Sequence, residues 1–175
     1  TSTVPDFIFA GDDPLPNNMP QIVNSKAWIP GNRTYPLFSL TAYAATTRKS
    51  DQINFISITA GDTANHQFAA IVKDPTVVLL VEAGPETPVN AVRKVFGVLQ
   101  EKQARTPVIL HATYRQVSDE EFLVKASADA GPHFIDGLAD GIFLEGPPHI
   151  EAARITATAF SILQASRARF TRTEF

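Results

Sequence analysis

The sequence predicts an α/β domain in which mostly parallel strands form an irregular, barrel-like sheet. From residue 52 onward, short apolar runs alternate with helical patterns, which is the order of βαβ units. Two of these runs, Thr76–Val81 and Pro107–His111, have the composition of strands buried on both faces of a parallel sheet. There are about eight strand candidates but few helices in the first third, so we expect an irregular TIM-barrel-like (β/α) domain.

The first third of the chain is predicted to contain short strands and turns. It holds 6 of the 13 prolines within 36 residues. The strand candidates are Asp6–Ala10, Gln21–Asn24 and Tyr35–Tyr43, with Pro30-Gly31-Asn32 as one of the turns. Because proline removes a backbone donor from a sheet ladder, we expect this third to be the least regular part of the domain.

Strand and helix patterns are clearer in the middle of the chain. Ile53–Thr59 is rich in β-branched and aromatic residues and predicts a strand, followed by a helix over about Ala64–Lys73. Apolar residues at helical spacing predict a helix over Pro88–Gln103. Ser118–Glu121 fits a capping box and should begin a helix that runs towards Ala130.

The last part of the chain is predicted to hold two short strands and a long helix. Phe134–Ile135 and Ile142–Leu144 are the strand candidates after Gly131. The segment His149–Ser166 predicts the longest helix of the domain, and Arg169–Phe175 an extended tail with alternating character.

Composition excludes several classes of protein. The 175 residues suit one domain, and 44% hydrophobic with 19% charged residues argues against disorder. A net charge of −3 and a pI of about 5.8 argue against a nucleic-acid partner. The longest apolar run, Val77–Val81, is too short to span a bilayer, and no leader is recognisable, so we expect no membrane partner. Cysteine is absent, which removes disulfides, zinc thiolates and cysteinyl iron–sulfur clusters from this chain.

Titratable residues follow several predicted strands, where the working edge of a parallel sheet lies. These strand-end candidates are Glu82, His111, Asp136, Asp140 and Glu145. His111 with a carboxylate could act as a general base, but acids and histidines are also common in solvated loops. No spacing among them is diagnostic. We therefore expect Glu82, His111, Asp136 and Glu145 to gather at one rim without forming a competent active site.

Cofactor-binding and metal-binding residues are not predicted. The four histidines, His66, His111, His133 and His149, show no pair at helical metal-ligand spacing. The chain also lacks the glycine-rich motifs that cradle phosphates. Gly137–Gly141 is bracketed by glycines, but its acids favour a tight connection between strands.

Residues 107–175 carry a resemblance to a known family. The run Pro107–His111 (PVILH), Asp136–Glu145 (DGLADGIFLE), Ile162–Arg169 (ILQASRAR) and Thr171–Phe175 (TRTEF) resemble 4-hydroxy-3-methylbut-2-enyl diphosphate synthase. The likeness is to the three-domain form of plants and some bacteria. A fainter likeness extends over Ile53–Glu82 and the N-terminal loop.

The resemblance places residues 1–175 as the barrel-like middle, or insert, domain of such an enzyme. The family's cluster cysteines come just after the position that matches Phe175, so the 4Fe-4S cluster is expected in a C-terminal domain missing here. The barrel that binds the substrate, 2-C-methyl-D-erythritol 2,4-cyclodiphosphate, is missing as well. The implied partners of this chain are these two domains of the same polypeptide.

The resemblance also suggests that an anion site has been lost. The family's substrate barrel ends in a related stretch whose Arg and Ser face the diphosphate. Aligned on Asp140, this chain has Phe143 in place of that Arg and Glu145 in place of that Ser. A phenyl ring cannot balance phosphate charge, and a carboxylate repels it.

Three functions are left open by the sequence. The first is a non-catalytic structural or spacer domain in an oxidoreductase of the methylerythritol phosphate pathway of isoprenoid biosynthesis, inactive by itself. The second is a stand-alone (β/α) enzyme that uses the acids and His111 at the strand ends. The third is a binding module for a regulator or an electron donor. The resemblance favours the first, and with it the bacterial cytoplasm or the plastid stroma.

Overall fold

A computed structural model describes residues 4–16, 18–31, 33–82 and 87–166. The seven strands are β1 Ile8–Gly11, β2 Gln21–Asn24, β3 Thr34–Ser39, β4 Asn54–Thr59, β5 Val77–Glu82, β6 Val108–Thr113 and β7 Gly141–Glu145. The helices are α1 Leu40–Ala45, α2 Phe68–Ile71, α3 Pro88–Glu101, α4 Asp119–Ile135 and α5 Ala152–Ala165, with a 3-10 turn over Ala60–Ala64.

The seven strands form one sheet in chain order, and every neighbouring pair is parallel. The sheet curls into a half-barrel. Its two edge strands, β1 and β7, contact each other through side chains. The ring centroids of Phe9 on β1 and Phe143 on β7 lie 5.8 Å apart. The predicted irregular TIM-barrel-like fold with consecutive parallel strands is confirmed.

The two faces of the sheet have different surroundings. On β5, Leu79 and Val81 point into the main core, which also contains the buried sides of the helices. Leu80 points to the opposite, concave face, where it belongs to a smaller apolar cluster with Ile22 and Phe55. This alternation follows from the two-residue period of a strand, so each strand contributes to both faces.

The first third contains β1, β2 and β3 without intervening helices. The strand predicted to run to Tyr43 ends earlier, because the Ser39 side chain accepts a hydrogen bond from the Ala42 backbone N–H and caps α1. Leu40 and Tyr43 then lie on the buried side of that helix. The prediction of one strand over Tyr35–Tyr43 is therefore wrong in its second half.

The helix predicted over Ala64–Lys73 is also shorter than expected. The Asp62 side chain accepts hydrogen bonds from both the backbone N–H and the hydroxyl of Thr59, which closes a 3-10 turn first. Only the four residues of α2 then form an α-helix, with Phe68 and Ile71 buried. Local side-chain bonding here competes with a longer helix.

The end of α4 differs most from the sequence prediction. Ser118 forms the predicted capping box with Glu121, but the helix continues through Pro132 to Ile135, so Phe134–Ile135 is not a strand. Buried packing of His133 and Phe134 supports these last turns. At 17 residues α4 is longer than α5, which begins only at Ala152. The tail predicted over Arg169–Phe175 lies outside the described residues.

Candidate functional site

Three of the predicted strand-end residues meet on the concave face, at the carboxyl edge of β5, β6 and β7. His111 is paired in register with Glu82 on one side and with Phe143 on the other. Its Nε2 lies 2.6 Å from Glu145 Oε1, and its Nδ1 lies 3.4 Å from Glu82 Oε1. We call Glu82, His111 and Glu145 the clasp, because their side chains link three adjacent strands.

Neighbouring side chains hold the clasp in place. Ser57 on β4 donates a hydrogen bond to Glu82, which extends the network to a fourth strand. The Phe143 ring stacks on the imidazole of His111, with ring centroids 4.6 Å apart and an interplanar angle of 23°. The His111 side chain is only 13% exposed, whereas Glu82 and Glu145 are 45% and 39% exposed. The imidazole is thus enclosed, and the carboxylates face solvent.

This geometry limits what His111 can do chemically. A general base needs a free ring nitrogen within reach of a substrate proton. Here Nε2 pairs with Glu145, and Nδ1 is buried near Glu82 without a hydrogen-bond partner. The two carboxylates also lie at opposite ring nitrogens, which does not favour their chelating one ion. Among the residues that the structure describes, no group of three or more His, Asp or Glu side chains could hold a metal ion.

A cavity of about 340 Å³ adjoins the clasp at the end of β6. Its lining residues are Glu82, Pro88, His111, Ala112, Thr113, Tyr114 and Asp129. The Tyr114 hydroxyl donates a hydrogen bond to Asp129 over 2.8 Å. Burial, together with this carboxylate, raises the pKa of Tyr114, so the phenol stays protonated at neutral pH.

Asp136 and Asp140 do not join the clasp, so the prediction of a shared rim is wrong for Asp136. Asp136 follows a helix instead of a strand: it caps α4 and lies 3.1 Å from the Arg93 guanidinium on α3. Asp140 accepts a hydrogen bond from the backbone N–H of Val108, at the opposite end of β6. The error for Asp136 arises from assigning a strand to Phe134–Ile135, which lie in α4.

His133 is a titratable residue that the sequence did not single out. It is fully buried between α4 and α3, and neither ring nitrogen makes a hydrogen bond. Burial and the nearby Arg93 lower its pKa below the ordinary value. His133 follows Ala126 by seven residues and Ala130 by three. This helical spacing places all three on the same face, and it is the sequence pattern that indicates a core-facing His133.

Comparisons with known proteins give one consistent result. A protein of Phocaeicola vulgatus named 4-hydroxy-3-methylbut-2-en-1-yl diphosphate synthase (flavodoxin) is 28% identical over 98% of this chain. The chain is similar to a segment of these synthases. The synthase (flavodoxin) of Protochlamydia amoebophila is 43% identical over 47% of the chain. The chloroplastic synthase (ferredoxin) of Arabidopsis thaliana is 35% identical over 50% of it.

The similarity to these synthases confirms the family resemblance that was inferred from the sequence. The chain spans only 28% of the length of the Phocaeicola vulgatus synthase and 12% of each of the other two. The synthases therefore carry further sequence outside the matched segment. No family model and no solved structure matches this chain.

Two further findings concern cofactors and membranes. The chain has no cysteine, so it supplies no thiolate of the kind that holds an iron–sulfur cluster, and its residues do not fit such a group. Within the described ranges, no helix is both long enough and apolar enough to cross a bilayer.

Proposed function

We propose that residues 1–175 form a structural insert domain, without a catalytic role of its own, of a longer 4-hydroxy-3-methylbut-2-enyl diphosphate synthase. The observation that carries this proposal is the extent of the match. The likeness covers 98% of this chain but 28% of the Phocaeicola vulgatus synthase. The domain would occupy the middle of that polypeptide, between the substrate barrel and the iron–sulfur domain.

The clasp supports a role without substrate binding. The two positions at which the resemblance leads us to infer a lost Arg and Ser are both occupied by partners of His111: Phe143 stacks on the ring, and Glu145 pairs with Nε2. A diphosphate at this edge would meet Glu82 and Glu145 and would be repelled. The former anion site has, in this proposal, become a contact that links strands.

The chemistry would then belong to other parts of the enzyme. The parent would be an oxidoreductase that reductively converts 2-C-methyl-D-erythritol 2,4-cyclodiphosphate in isoprenoid biosynthesis. Its 4Fe-4S cluster would be held by cysteines outside this chain. The bacterial relatives and the chloroplastic one support a location in the bacterial cytoplasm or the plastid stroma.

Calorimetric titration of the purified chain with the cyclodiphosphate tests the proposal. We expect no binding in the micromolar range, and no turnover above buffer with a chemical reductant. The double variant F143R/E145S restores a cation and removes a carboxylate, and should bind the cyclodiphosphate more tightly than the wild type. Circular dichroism checks that the variant is folded. Micromolar binding or turnover by the wild-type chain would overturn the proposal.

A second candidate, an acid–base enzyme, is favoured by one observation. His111 and Glu145 lie 2.6 Å apart beside a cavity that His111 also lines. In the full-length protein, His111→Gln distinguishes the two candidates. An unchanged kcat agrees with the structural role, and a loss of 100-fold or more would favour catalysis by His111.

A further inference from the structure

The outward face of α4 is apolar along its centre line. Val124, Ala128, Gly131 and Ile135 recur at intervals of four, three and four residues, which places them on one face of the helix. Val124 is 66% exposed and Ile135 is 73% exposed. Large apolar side chains thus occur at both ends of a line about three turns long.

This line lies directly opposite the buried side of the helix. Phe122, Ala126, Ala130 and His133 face the core. Charged residues flank the apolar line near the start of the helix, where Glu120, Glu121 and Lys125 are exposed. An apolar centre with a charged rim is the composition of a protein interface.

Helix α3 shows that an apolar outward face is not general in this domain. Its buried side contains Val92, Val95 and Leu99, and its outward side carries the exposed charged residues Arg93, Lys94 and Glu101. Both helices cover the same sheet and lie side by side. Their outward faces therefore differ although their inward sides contribute to the same core.

Helix α5, which packs against α4, has few charged residues. Arg154 is the one charged residue among the 14 residues of α5. Ala153 and Ala157 are exposed on its surface. Small side chains would allow a second helix to approach closely, so the outward surface of α4 and α5 has both apolar anchors and room for a partner.

We propose that the outward face of α4, formed by Val124, Ala128, Gly131 and Ile135, docks against another domain of the same polypeptide. This inference rests on the proposed function. More than two thirds of the length of the Phocaeicola vulgatus synthase lies outside the segment that this chain matches, so a covalently linked partner is available. A linked partner needs little buried area, because its effective concentration is high.

Site-specific photo-crosslinking in the full-length protein tests this docking. A benzophenone amino acid is placed at Val124, and in a separate variant at Lys94 on the charged face of α3. We expect crosslinks within one polypeptide from position 124 to residues outside this domain, at least fivefold more than from position 94. Equal yields at the two positions, or crosslinks mainly between two polypeptides, would overturn the inference.

A second measurement separates docking from folding. Ile135→Glu and the matched variant Lys94→Glu are compared in the full-length protein. We expect I135E to increase hydrogen exchange over α4 at least threefold and K94E to leave it unchanged. Hydrogen exchange over β4 and β5 reports whether each variant is folded. If I135E leaves exchange over α4 unchanged, the docking inference fails, whereas the proposed structural role fails only in the titration and turnover assays above.

Discussion

The helix-covered face and the concave face of the same sheet are built differently. Against the helices, β5 places Val77, Leu79 and Val81, all of them buried in one continuous core. On the concave face, β5 offers Val78 and Leu80 and ends at Glu82 in the clasp. One strand therefore combines a purely apolar side with a side that changes from apolar to charged along its length.

The two faces should therefore contribute differently to the stability of the fold. The helix-covered face buries most of the large side chains and should supply most of the free energy of folding. The concave face has a small apolar cluster and leaves Phe143 and the clasp carboxylates partly exposed. Substitutions on the concave face should consequently cost less than similar substitutions under the helices.

The largest effect is expected from removing a ring on the helix-covered side. Phe122 is buried in the main core, and Phe122→Ala should lower the free energy of unfolding by about 3–5 kcal/mol. Phe143→Ala, the matched change on the concave face, should cost less than half as much because Phe143 is partly exposed. Urea denaturation measures both. Equal losses would show that the two faces contribute alike.

The junction between β7 and α5 should be the next most sensitive position. A Cβ atom at Gly146 would lie 2.6 Å from Ile155 Cδ1 and 2.9 Å from its Cγ1. Gly146→Ala should therefore cost about 1–3 kcal/mol through overpacking. In the double variant G146A/I155A the clash is gone, so the combined loss should be smaller than the sum of the single losses. Additive losses in urea denaturation would contradict a steric cause.

His133 should make the helix-covered side sensitive to acid. Its pKa is lowered in the folded state, so at pH values below about 6.5 the unfolded chain binds a proton that the folded chain resists. Stability should be full above that pH and should fall as the pH drops towards the folded-state pKa.

The variant His133→Leu isolates this contribution. Leucine fills the buried site without a titratable group, so its unfolding free energy should fall less between pH 7 and pH 5 than that of the wild type. Urea denaturation at the two pH values gives the comparison. A variant with the same pH dependence as the wild type would show that His133 does not contribute.

The smallest stability effect is expected from the clasp itself. His111→Gln removes the pairing with Glu145 and the contact with Glu82, two carboxylates that are each more than a third exposed, so the loss should be about 1 kcal/mol or less. His149→Gln serves as the control, because it removes a histidine–carboxylate pair with Asp119 in which both side chains are exposed. A loss above about 3 kcal/mol from His111→Gln would place a major part of the folding energy on the concave face.

Local sequence signals predicted the elements whose ends are fixed by local contacts. The capping box of Ser118 and Glu121 and the apolar runs of β5 and β6 are examples. The signal failed at Phe134, where burial against the core keeps a helix in place of the short strand that the residues suggest. Tertiary packing decided that element against the local preference for a strand.

The candidate site was predictable only in part. Glu82, His111 and Glu145 could be placed at one edge because each ends a parallel strand or lies near its end. Their pairing depends on strand register, which brings together residues 34 positions apart in the case of His111 and Glu145. The sequence does not specify that Nε2 would pair with Glu145 while Nδ1 is buried near Glu82.

The contact between Phe9 and Phe143 has a mechanical consequence. Among the described strands, β1 and β7 share this ring contact but no backbone ladder. Separating the two edges would then forfeit an aromatic contact of about 0.5–1.5 kcal/mol, whereas separating any other neighbouring pair of strands breaks a ladder of hydrogen bonds. The contact between β1 and β7 is therefore the weakest contact between adjacent strands of the curled sheet. A force applied to this sheet would therefore separate β1 from β7 before it disturbed β4, β5 or β6.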